Sequence, residues 1–534
     1  MNNESYDVII VGSGLAGLVA ALRIAQESEK IKIAIITRGN GATPYIAALN
    51  AVIEPNSWGD SEEQYINDML QAGYFINDKK LVVKMCRETL RCIDFLLKWN
   101  INFSKGDNGE FLRRHASGSS YPRSFFQESD ILGKQIIFKL KEHLLKKKEV
   151  CILENRVGRN LLVRDGKIFG ITIEDLYDNS VQNIFAPVVV AAWGGIGNLF
   201  PDSTYPSDID GTNLSIAYDA GASLVDIEFI EFEPLVIKWP EQVRGIICPT
   251  SILGDGAHLL NSEHEQFILK HQQKGEVGCK KTVLNKAIWQ EIKEKRGSAH
   301  GGVYIDLKNI STKTLNGYPW FYNNITKAGV DLKKVFLEVA PVAHSHSGGI
   351  RVQEDYQTNI DGFYAVGEAM GGIHGADRLA GNAATQALVS GILGAEEVLG
   401  REHRNVLNLN IERKKIQKNK EICKKIAPKV KNIVNKIIGS ERESSMLIEG
   451  IKELKQILNS REILDDDYSY KITLSSLLIA KSCLIRKESR GNHFRSDYPN
   501  IDKDWQCSIE IKKLNKNIIG WGKLSRLSKN YPVV

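Results

Sequence analysis

The sequence predicts an α/β protein that combines a Rossmann-like nucleotide-binding domain, an inserted α+β domain and a C-terminal helical domain. Three observations support this fold class. A strand, a glycine-rich loop and a helix open the chain; two further apolar strands, near residues 187–195 and 360–368, run into glycine; and a lysine-rich helical pattern follows residue 409. The chain of 534 residues is also longer than a domain built around a single hydrophobic core, which favours several domains.

The first element is the apolar run 6–11, which is typical of a buried parallel strand. A Gly-x-Gly-x-x-Gly motif and a helical pattern follow it. In such a motif the first glycine permits a tight turn, the second lets the backbone approach a pyrophosphate, and the third lets helix and strand pack closely. The motif predicts a dinucleotide site whose contacts are Gly12, Gly14, Leu15, Ala16 and Gly17.

The second strand, 31–36, ends in Thr37 and Arg38, where an acidic residue usually binds the ribose. Arg38 by itself suggests a 2′-phosphate, so the sequence leaves the ribose contact open. The remaining predicted cofactor contacts on this side of the chain are Thr43, Gly194, Gly195 and Asp210.

The segment 360–368 favours flavin over nicotinamide. It reads as a strand and a turn followed by Glu368, and in flavoproteins such a carboxylate accepts hydrogen bonds from ribityl hydroxyls. The alternative is an ordinary strand end at the surface. Soon after, Asn382, Ala383 and Ala384 open a helix whose N-terminus can stabilise the negative charge of a reduced flavin. The predicted cofactor is therefore FAD.

Several longer segments resemble the flavoprotein family of succinate dehydrogenase, fumarate reductase and L-aspartate oxidase. They are 340–350, 367–382, 221–229 and 487–499, in the same order along the chain as in the family. The resemblance implies an FAD-binding domain in two parts, a capping domain over the flavin, and a helical domain. The expected limits are 1–229 and 347–405 for the FAD-binding domain, 230–346 for the capping domain and 406–534 for the helical domain.

The resemblance also implies hydride transfer between flavin N5 and a substrate carbon next to a carboxylate. His344 matches the family's substrate-binding histidine, and Arg378 matches its carboxylate-binding arginine. A forked guanidinium can hold a carboxylate with two hydrogen bonds, and an imidazole can orient the substrate or move a proton. The alternatives are a core histidine for His344 and an ion pair with a nearby acid, such as Asp377, for Arg378.

The chain departs from the family at two substrate-facing positions. Glu233 stands where the family has a histidine, and Lys280 and Lys281 stand where it has a proton-transferring arginine. Either lysine can replace that cation, or both are merely exposed. Glu233 would repel a second substrate carboxylate, or it could pair with a substrate ammonium. The loop before Arg123 also lacks the glutamate that aspartate oxidases carry.

These departures favour a small amino or carboxylic acid as substrate, oxidised in the manner of L-aspartate oxidase. One alternative is a fumarate-reductase-like enoate reductase that receives electrons from a partner protein. The other is a catalytically idle flavoprotein subunit. Because the segment 43–50 contains no histidine, FAD is expected to be bound non-covalently.

The amino-acid composition excludes several classes of binding partner. The net charge of +6 shows no nucleic-acid footprint, and no apolar run approaches the roughly 18–20 residues of a membrane-spanning helix. The 8 cysteines are dispersed without a C-x-x-C pair, so we expect neither a metal site nor an iron–sulfur cluster. An electron relay would therefore need a partner protein. The polar start of the chain indicates a cytoplasmic protein, and the oligomeric state stays open.

Overall fold

The computed structural model describes residues 5–53, 59–128, 132–401, 416–515 and 518–524. Within these ranges the helices are, in chain order, α1 (Leu15–Glu27), α2 (Glu62–Ala72), α3 (Lys79–Lys98), α4 (Leu132–Leu144), α5 (Asn213–Asp219), α6 (Lys281–Lys293), α7 (Thr312–Asn316), α8 (Pro319–Lys327), α9 (Asn382–Leu399), α10 (Lys420–Ile437), α11 (Ser444–Leu458) and α12 (Asp467–Ile485). Every helix in the described ranges is too short or too polar to cross a membrane.

The strands of the same ranges form five sheets. They are β1 (Val8–Val11), β2 (Ile33–Thr37), β3 (Ala48–Asn50), β4 (Arg113–Arg114), β5 (Ser124–Phe126), β6 (Val150–Glu154), β7 (Arg156–Arg164), β8 (Lys167–Asp175), β9 (Val181–Phe185), β10 (Val188–Ala191), β11 (Leu224–Val225), β12 (Ile230–Trp239), β13 (His258–Leu260), β14 (Val303–Asp306), β15 (Leu337–His346), β16 (Gly349–Ile350), β17 (Phe363–Ala365), β18 (Ser508–Asn515) and β19 (Ile518–Leu524).

A parallel sheet with the order β17-β10-β1-β2-β6 lies at the centre of the nucleotide-binding part. Its strands are continuous apolar runs because helices cover a parallel sheet on both faces, and every residue of β1 is buried. Helix α1 packs against α9 and α4. Strands β1, β10 and β17 all lead into glycine-containing loops at their carboxyl ends, where open α/β sheets bind their ligands.

The residues between the two parts of this domain form an antiparallel sheet of their own, with the order β12-β15-β14-β13. Helix α6 packs against β12 and β15. The buried side chains here form a separate hydrophobic cluster, which includes Leu235, Ile288 and Val339. This α+β unit is the predicted capping domain, and its core is independent of the central sheet.

The C-terminal part contains the predicted helical pattern, and within its described residues two strands follow the helices. Helices α10, α11 and α12 pack together, and the apolar residues Ile426, Val430, Ile433 and Ile437 form the buried face of α10. Strands β18 and β19 then join a sheet with the order β16-β11-β18-β19. The expected helical domain, 406–534, therefore also contains these two strands. The proposed limit at 405 falls within 402–415, outside the described residues.

A buried ionic network fixes the segment between β11 and β12 to the C-terminal part. The Arg486 Nε donates to Glu228 Oε1 over 2.7 Å, and Ser482 Oγ donates to Glu228 Oε2 over 2.7 Å. Arg442 Nη1 also donates to the Glu228 carbonyl oxygen over 2.7 Å. Arg486, Arg442 and Glu228 are fully buried. The network therefore joins the segment that leads into β12 to α12.

Candidate active site

One large cavity lies where the nucleotide-binding part meets the capping domain. Its volume is about 1810 Å³, larger than the about 300–1,000 Å³ typical of a pocket for one small molecule. The glycine motif and the start of α9 line one end. Residues of β12, β15 and α6 line the other. The cavity therefore has room for a dinucleotide and a small substrate together.

The glycine loop has the geometry that a pyrophosphate requires. Gly12 has a φ of +113°, and a Cβ on it would lie 2.2 Å from the Ala192 carbonyl oxygen. A Cβ on Gly17 would lie 2.0 Å from the Gly12 carbonyl oxygen. Gly14 is the N-cap of α1, and a Cβ there would come no closer than 3.3 Å, to Thr43 Oγ1. Gly12 and Gly17 therefore allow the backbone to pack closely, and Gly14, which lines the cavity together with Gly12, has no backbone contact as close as theirs.

Other predicted contacts line the same end of the cavity, including Leu15, Ala16, Thr43, Gly194 and Asp210. The Leu15 N–H donates to Thr43 Oγ1 over 2.8 Å, which ties the start of α1 to the segment 43–50.

The predicted ribose region is held together by its own ion pair. The Arg38 guanidinium lies 3.0 Å from Asp210 Oδ2 and donates to the Ser207 carbonyl oxygen over 3.1 Å. Thr37 shares a hydrogen bond of 2.6 Å with Ser13. The structure thus brings Arg38 and Asp210 together, so Arg38 has an acidic partner of its own.

Glu368 is half-buried in the wall of the cavity. Its Oε1 accepts hydrogen bonds from Tyr205 Oη over 2.5 Å and from the His346 N–H over 3.0 Å. Burial raises the pKa of this carboxyl against the effect of Tyr205. A Cβ on Gly195 would lie 2.7 Å from Glu368 Cδ, so the close approach of the two requires glycine. Glu368 is therefore a fixed carboxylate of the cavity and not a surface strand end.

Helix α9 begins beside the cavity, as its sequence pattern predicted. Gly381 is its N-cap with a φ of +84°, and Ala383 and Ala384 line the cavity. The side chain of Asn382 points elsewhere, because its Oδ1 accepts hydrogen bonds of 2.7 Å from Asn50 Nδ2 and Tyr65 Oη. Its Nδ2 is buried without a hydrogen-bond partner among the described residues, and Asn382 is not one of the residues that line the cavity.

Arg378 and Glu231 form a buried ion pair at the other end of the cavity. Arg378 Nη2 lies 2.8 Å from Glu231 Oε2, and the two side chains are 8% and 7% exposed. Burial alone would raise the pKa of Glu231, but Arg378 foremost and then Lys281 outweigh it and lower this pKa to about 2. Arg378 thus has the kind of acidic partner that the alternative interpretation expected, although the acid is Glu231 and not Asp377. Asp377 Oδ1 accepts instead from the Arg378 backbone N–H and from Asn492.

The structure distinguishes the two lysines. Lys281 is half-buried, and its Nζ lies 2.5 Å from Glu233 Oε2 and 3.9 Å from Glu231 Oε1. Burial would lower the pKa of Lys281, but Glu233 and then Glu231 raise it, so Lys281 stays a cation at neutral pH. Lys280 is the N-cap of α6 and is exposed at the rim of the cavity. Lys281 is therefore the better candidate for the family's cation.

His344 lies on β15 at a bulge, between Ser345, which pairs with Glu231 of β12, and Ala343, which pairs with Phe232. Its Nδ1 forms a hydrogen bond of 2.7 Å with Thr204 Oγ1. Burial lowers the pKa of His344 against the two glutamates of β12, so the ring is neutral at pH 7. It lines the cavity, which is not the place of an ordinary core histidine.

Sequence reasoning missed several cavity residues, namely Glu231, Thr204, Tyr205, Asp377 and Asn492. Glu231 had a usable signal, since residues two apart on a strand face the same side and Glu233 was already a candidate. Thr204 and Tyr205 lie in an irregular loop with no recognisable motif. Among the described residues, no group of three His, Cys, Asp or Glu side chains could hold a metal ion.

Comparison with known proteins identifies the class. The model of the FAD binding domain family matches residues 7–384, and that of the fumarate reductase flavoprotein C-terminal domain matches residues 470–518. With the glycine loop, Glu368 and the cavity, these matches define an FAD-dependent oxidoreductase.

Individual relatives agree over nearly the whole length. An L-aspartate oxidase of Saccharolobus solfataricus is 33% identical and covers 94% of this chain and 98% of its own. One subunit of the fumarate reductase (CoM/CoB) of Methanothermobacter marburgensis is 29% identical over 97% of this chain and 100% of its own. The Mycobacterium smegmatis Sdh1 structure in complex with UQ1 matches with a TM-score of 0.84 and 25% identity, covering 98% of this chain and 94% of that one. The chain belongs to the flavoprotein family of succinate dehydrogenase, fumarate reductase and L-aspartate oxidase.

FAD is therefore the cofactor, as predicted, and the residues of the cavity fit it. Gly14 and the N-terminus of α1 can receive the pyrophosphate, while Glu368 and the start of α9 can receive the ribityl and pyrimidine groups.

Acid precipitation is expected to release intact FAD into the supernatant, because residues 41–50 contain no histidine that could form a covalent link. The measurement is the flavin absorbance of the supernatant and of the washed pellet. Yellow colour that stays with the pellet would contradict non-covalent binding.

Proposed function

We propose that this protein oxidises a small carboxylic acid, with an α-amino acid as the main candidate, by hydride transfer from the carbon next to the carboxylate to FAD. The observation that carries the proposal is Arg378, a buried guanidinium at the cavity wall with incomplete bonding. Its Nε has no hydrogen-bond partner among the described residues, and its Nη1 contacts the Leu379 carbonyl oxygen only at 3.4 Å. A guanidinium in this state can accept a substrate carboxylate.

The side chains of the cavity supply positioning and proton transfer. Arg378 holds the substrate carboxylate, and Lys281 keeps a second positive charge nearby. His344 is neutral and is oriented by Thr204, so it can accept a proton from the substrate amine. FAD, when bound, supplies the hydride acceptor of the site.

An α-amino acid loses two electrons and two protons in this oxidation. The Cα–H bond breaks with its electron pair, the amine loses a proton, and the resulting imino acid hydrolyses to a 2-oxo acid and ammonia. Dioxygen then takes the two electrons and two protons and becomes hydrogen peroxide. An electron-accepting partner protein can take the place of dioxygen in this second half-reaction.

The test is anaerobic bleaching of the flavin by a panel of amino acids, 2-hydroxy acids, succinate and other carboxylic acids, followed by admission of air. We expect bleaching by at least one amino acid, with slow reduction by succinate, because two groups of a dicarboxylate site are altered at Glu233 and Lys281. Each altered charged hydrogen bond costs about 1.5–3 kcal/mol, which is roughly tenfold to over a hundredfold in rate. Rapid bleaching by succinate alone would contradict the proposal.

Arg378→Lys is expected to lower kcat/KM by about tenfold to a hundredfold while FAD stays bound. Lysine keeps the charge but lacks the planar fork, so one charged hydrogen bond of about 1.5–3 kcal/mol is lost. The measurements are the bleaching rate and the flavin content of both proteins. Arg91→Lys, at an exposed ion pair away from the cavity, is the matched control. Unchanged kinetics of Arg378→Lys would remove Arg378 from the substrate site.

A further inference from the structure

Four charged side chains at the substrate end of the cavity form two ion pairs. Arg378 is paired with Glu231, and Lys281 is paired with Glu233. His344 is neutral because burial lowers its pKa. The two cations and two carboxylates therefore balance each other within these pairs, and Asp377 lies beside them as a further carboxyl group. A ligand that enters must replace each ion pair that it breaks, since an unpaired buried charge is strongly unfavourable.

We propose that Glu231 binds the ammonium group of the substrate, and that the substrate is a small α-amino acid without a second carboxylate. The inference rests on the proposed function, in which Arg378 holds the substrate carboxylate. It goes further by assigning a role to Glu231 and by fixing the net charge of the substrate at zero.

A zwitterion can enter the pair of Arg378 and Glu231 without leaving either charge unpaired. Its carboxylate binds the guanidinium, and its ammonium binds the glutamate that the guanidinium releases. A dicarboxylate cannot bind in this way, because it has no ammonium group to pair with a released glutamate. It would need both Arg378 and Lys281, and both Glu231 and Glu233 would then be buried without a cation.

The contacts favour Glu231 over the other carboxylates of the cavity. Glu231 Oε1 lies 3.9 Å from Lys281 Nζ, beyond hydrogen-bond distance, so this oxygen can accept from an ammonium. Glu233 is already held by Lys281 at 2.5 Å. Asp377 Oδ1 is held by the Arg378 N–H at 3.0 Å and by Asn492 at 2.9 Å. Because Glu231 also touches Arg378, it places an ammonium next to the carboxylate anchor, as an α-amino acid requires.

The test compares two ligands that differ only in the amine. They are 2-aminoisobutyrate, which has no Cα hydrogen and cannot be oxidised, and 2-methylpropanoate. Titration calorimetry on the FAD-loaded protein gives both dissociation constants. We expect the amine-bearing ligand to bind at least about tenfold more tightly, the effect of one charged hydrogen bond. Equal affinities, or no measurable affinity for either ligand, would overturn the assignment.

Glu231→Gln separates a binding role from a structural one. It should weaken 2-aminoisobutyrate and strengthen 2-methylpropanoate, because Arg378 loses its internal partner. Damage to the fold would weaken both ligands. Asp377→Asn removes the same charge from the same cavity and should keep the preference for the amine. If Glu231→Gln still binds 2-aminoisobutyrate more tightly than 2-methylpropanoate, the assignment is overturned. If this variant does not fold, the affinities of the two ligands for the unaltered protein decide.

The affinities of both ligands for Arg378→Lys show whether a failure concerns the role of Glu231 alone or the proposed function as a whole. If it weakens both ligands while Glu231→Gln leaves the amine preference intact, only the ammonium assignment falls. If it weakens neither ligand, the carboxylate anchor and with it the proposed function fall.

Discussion

Replacing Gly14 with valine is expected to give a folded protein that contains almost no FAD. A Cβ at this position would lie 3.3 Å from Thr43 Oγ1, a tight contact that requires a small shift of that side chain, and 3.8 Å from the Asn40 carbonyl oxygen. The φ of −72° at Gly14 is open to any residue, so we expect the fold to accept the substitution. The two methyl groups must then enter the cavity at the N-terminus of α1, which is the place of the pyrophosphate. The measurement is the ratio of flavin to protein absorbance after purification, with circular dichroism as the test of folding.

Two other glycines show why Gly14 is the informative position. Gly12→Val would disturb the fold as well, because Gly12 has a φ of +113° and its Cβ would lie 2.2 Å from the Ala192 carbonyl oxygen. Gly254→Val is the matched control, since a Cβ on Gly254 meets nothing within 4 Å. It should retain full FAD. Full FAD occupancy in Gly14→Val would refute the assignment of the phosphate loop.

Arg486→Met is expected to destabilise the protein by about 3–5 kcal/mol, since it leaves the Glu228 carboxylate buried without its cation. Methionine fills a similar volume, so lost packing contributes little. Arg486 also donates to the carbonyl oxygens of Trp505 and Cys507 at 2.9 Å each, and these acceptors lose their donor too. The measurement is the apparent midpoint of thermal unfolding.

The double variant Arg486→Met with Glu228→Gln distinguishes an unpaired charge from general damage. It removes both partners of the ion pair, so it should be more stable than Arg486→Met alone. Lys513→Met, at a half-buried ion pair with Asp219, is the control and should change the midpoint little. A double variant that is no more stable than Arg486→Met would show that the charge of Glu228 is not the cause.

Much of the fold could be predicted from the sequence, because its strongest signals are local. The apolar run before Gly12, the glycine spacing and the helical spacing from Ile426 to Ile437 each depend on residues close in the chain. Strand β18 escaped prediction because it pairs with β11, almost 300 residues earlier, and β19 in turn pairs with β18. Tertiary pairing of this kind overrides local propensity.

The candidate site could be predicted only where a motif or a family resemblance covered it. His344, Arg378 and Glu233 were found in this way, and the structure brings all three to one cavity. The sequence could not show that Arg378 pairs with Glu231, since 147 residues separate them. The sequence also could not show which of Lys280 and Lys281 faces the cavity. Two adjacent lysines at the start of a helix differ only in the direction in which their side chains point, and the packing of the helix decides that direction.

The strand order of the central sheet has a consequence for biosynthesis. β10 ends at Ala191, but its neighbour β17 begins only at Phe363, after the whole sheet of the capping domain. At about 5–20 residues per second, the ribosome takes on the order of 10–30 seconds to make the intervening chain. During that interval β10 is an open edge of an apolar sheet, the kind of surface that pairs with other chains. The nascent protein is thus most prone to aggregate while its capping domain is being made, and the emergence of β17 ends that period.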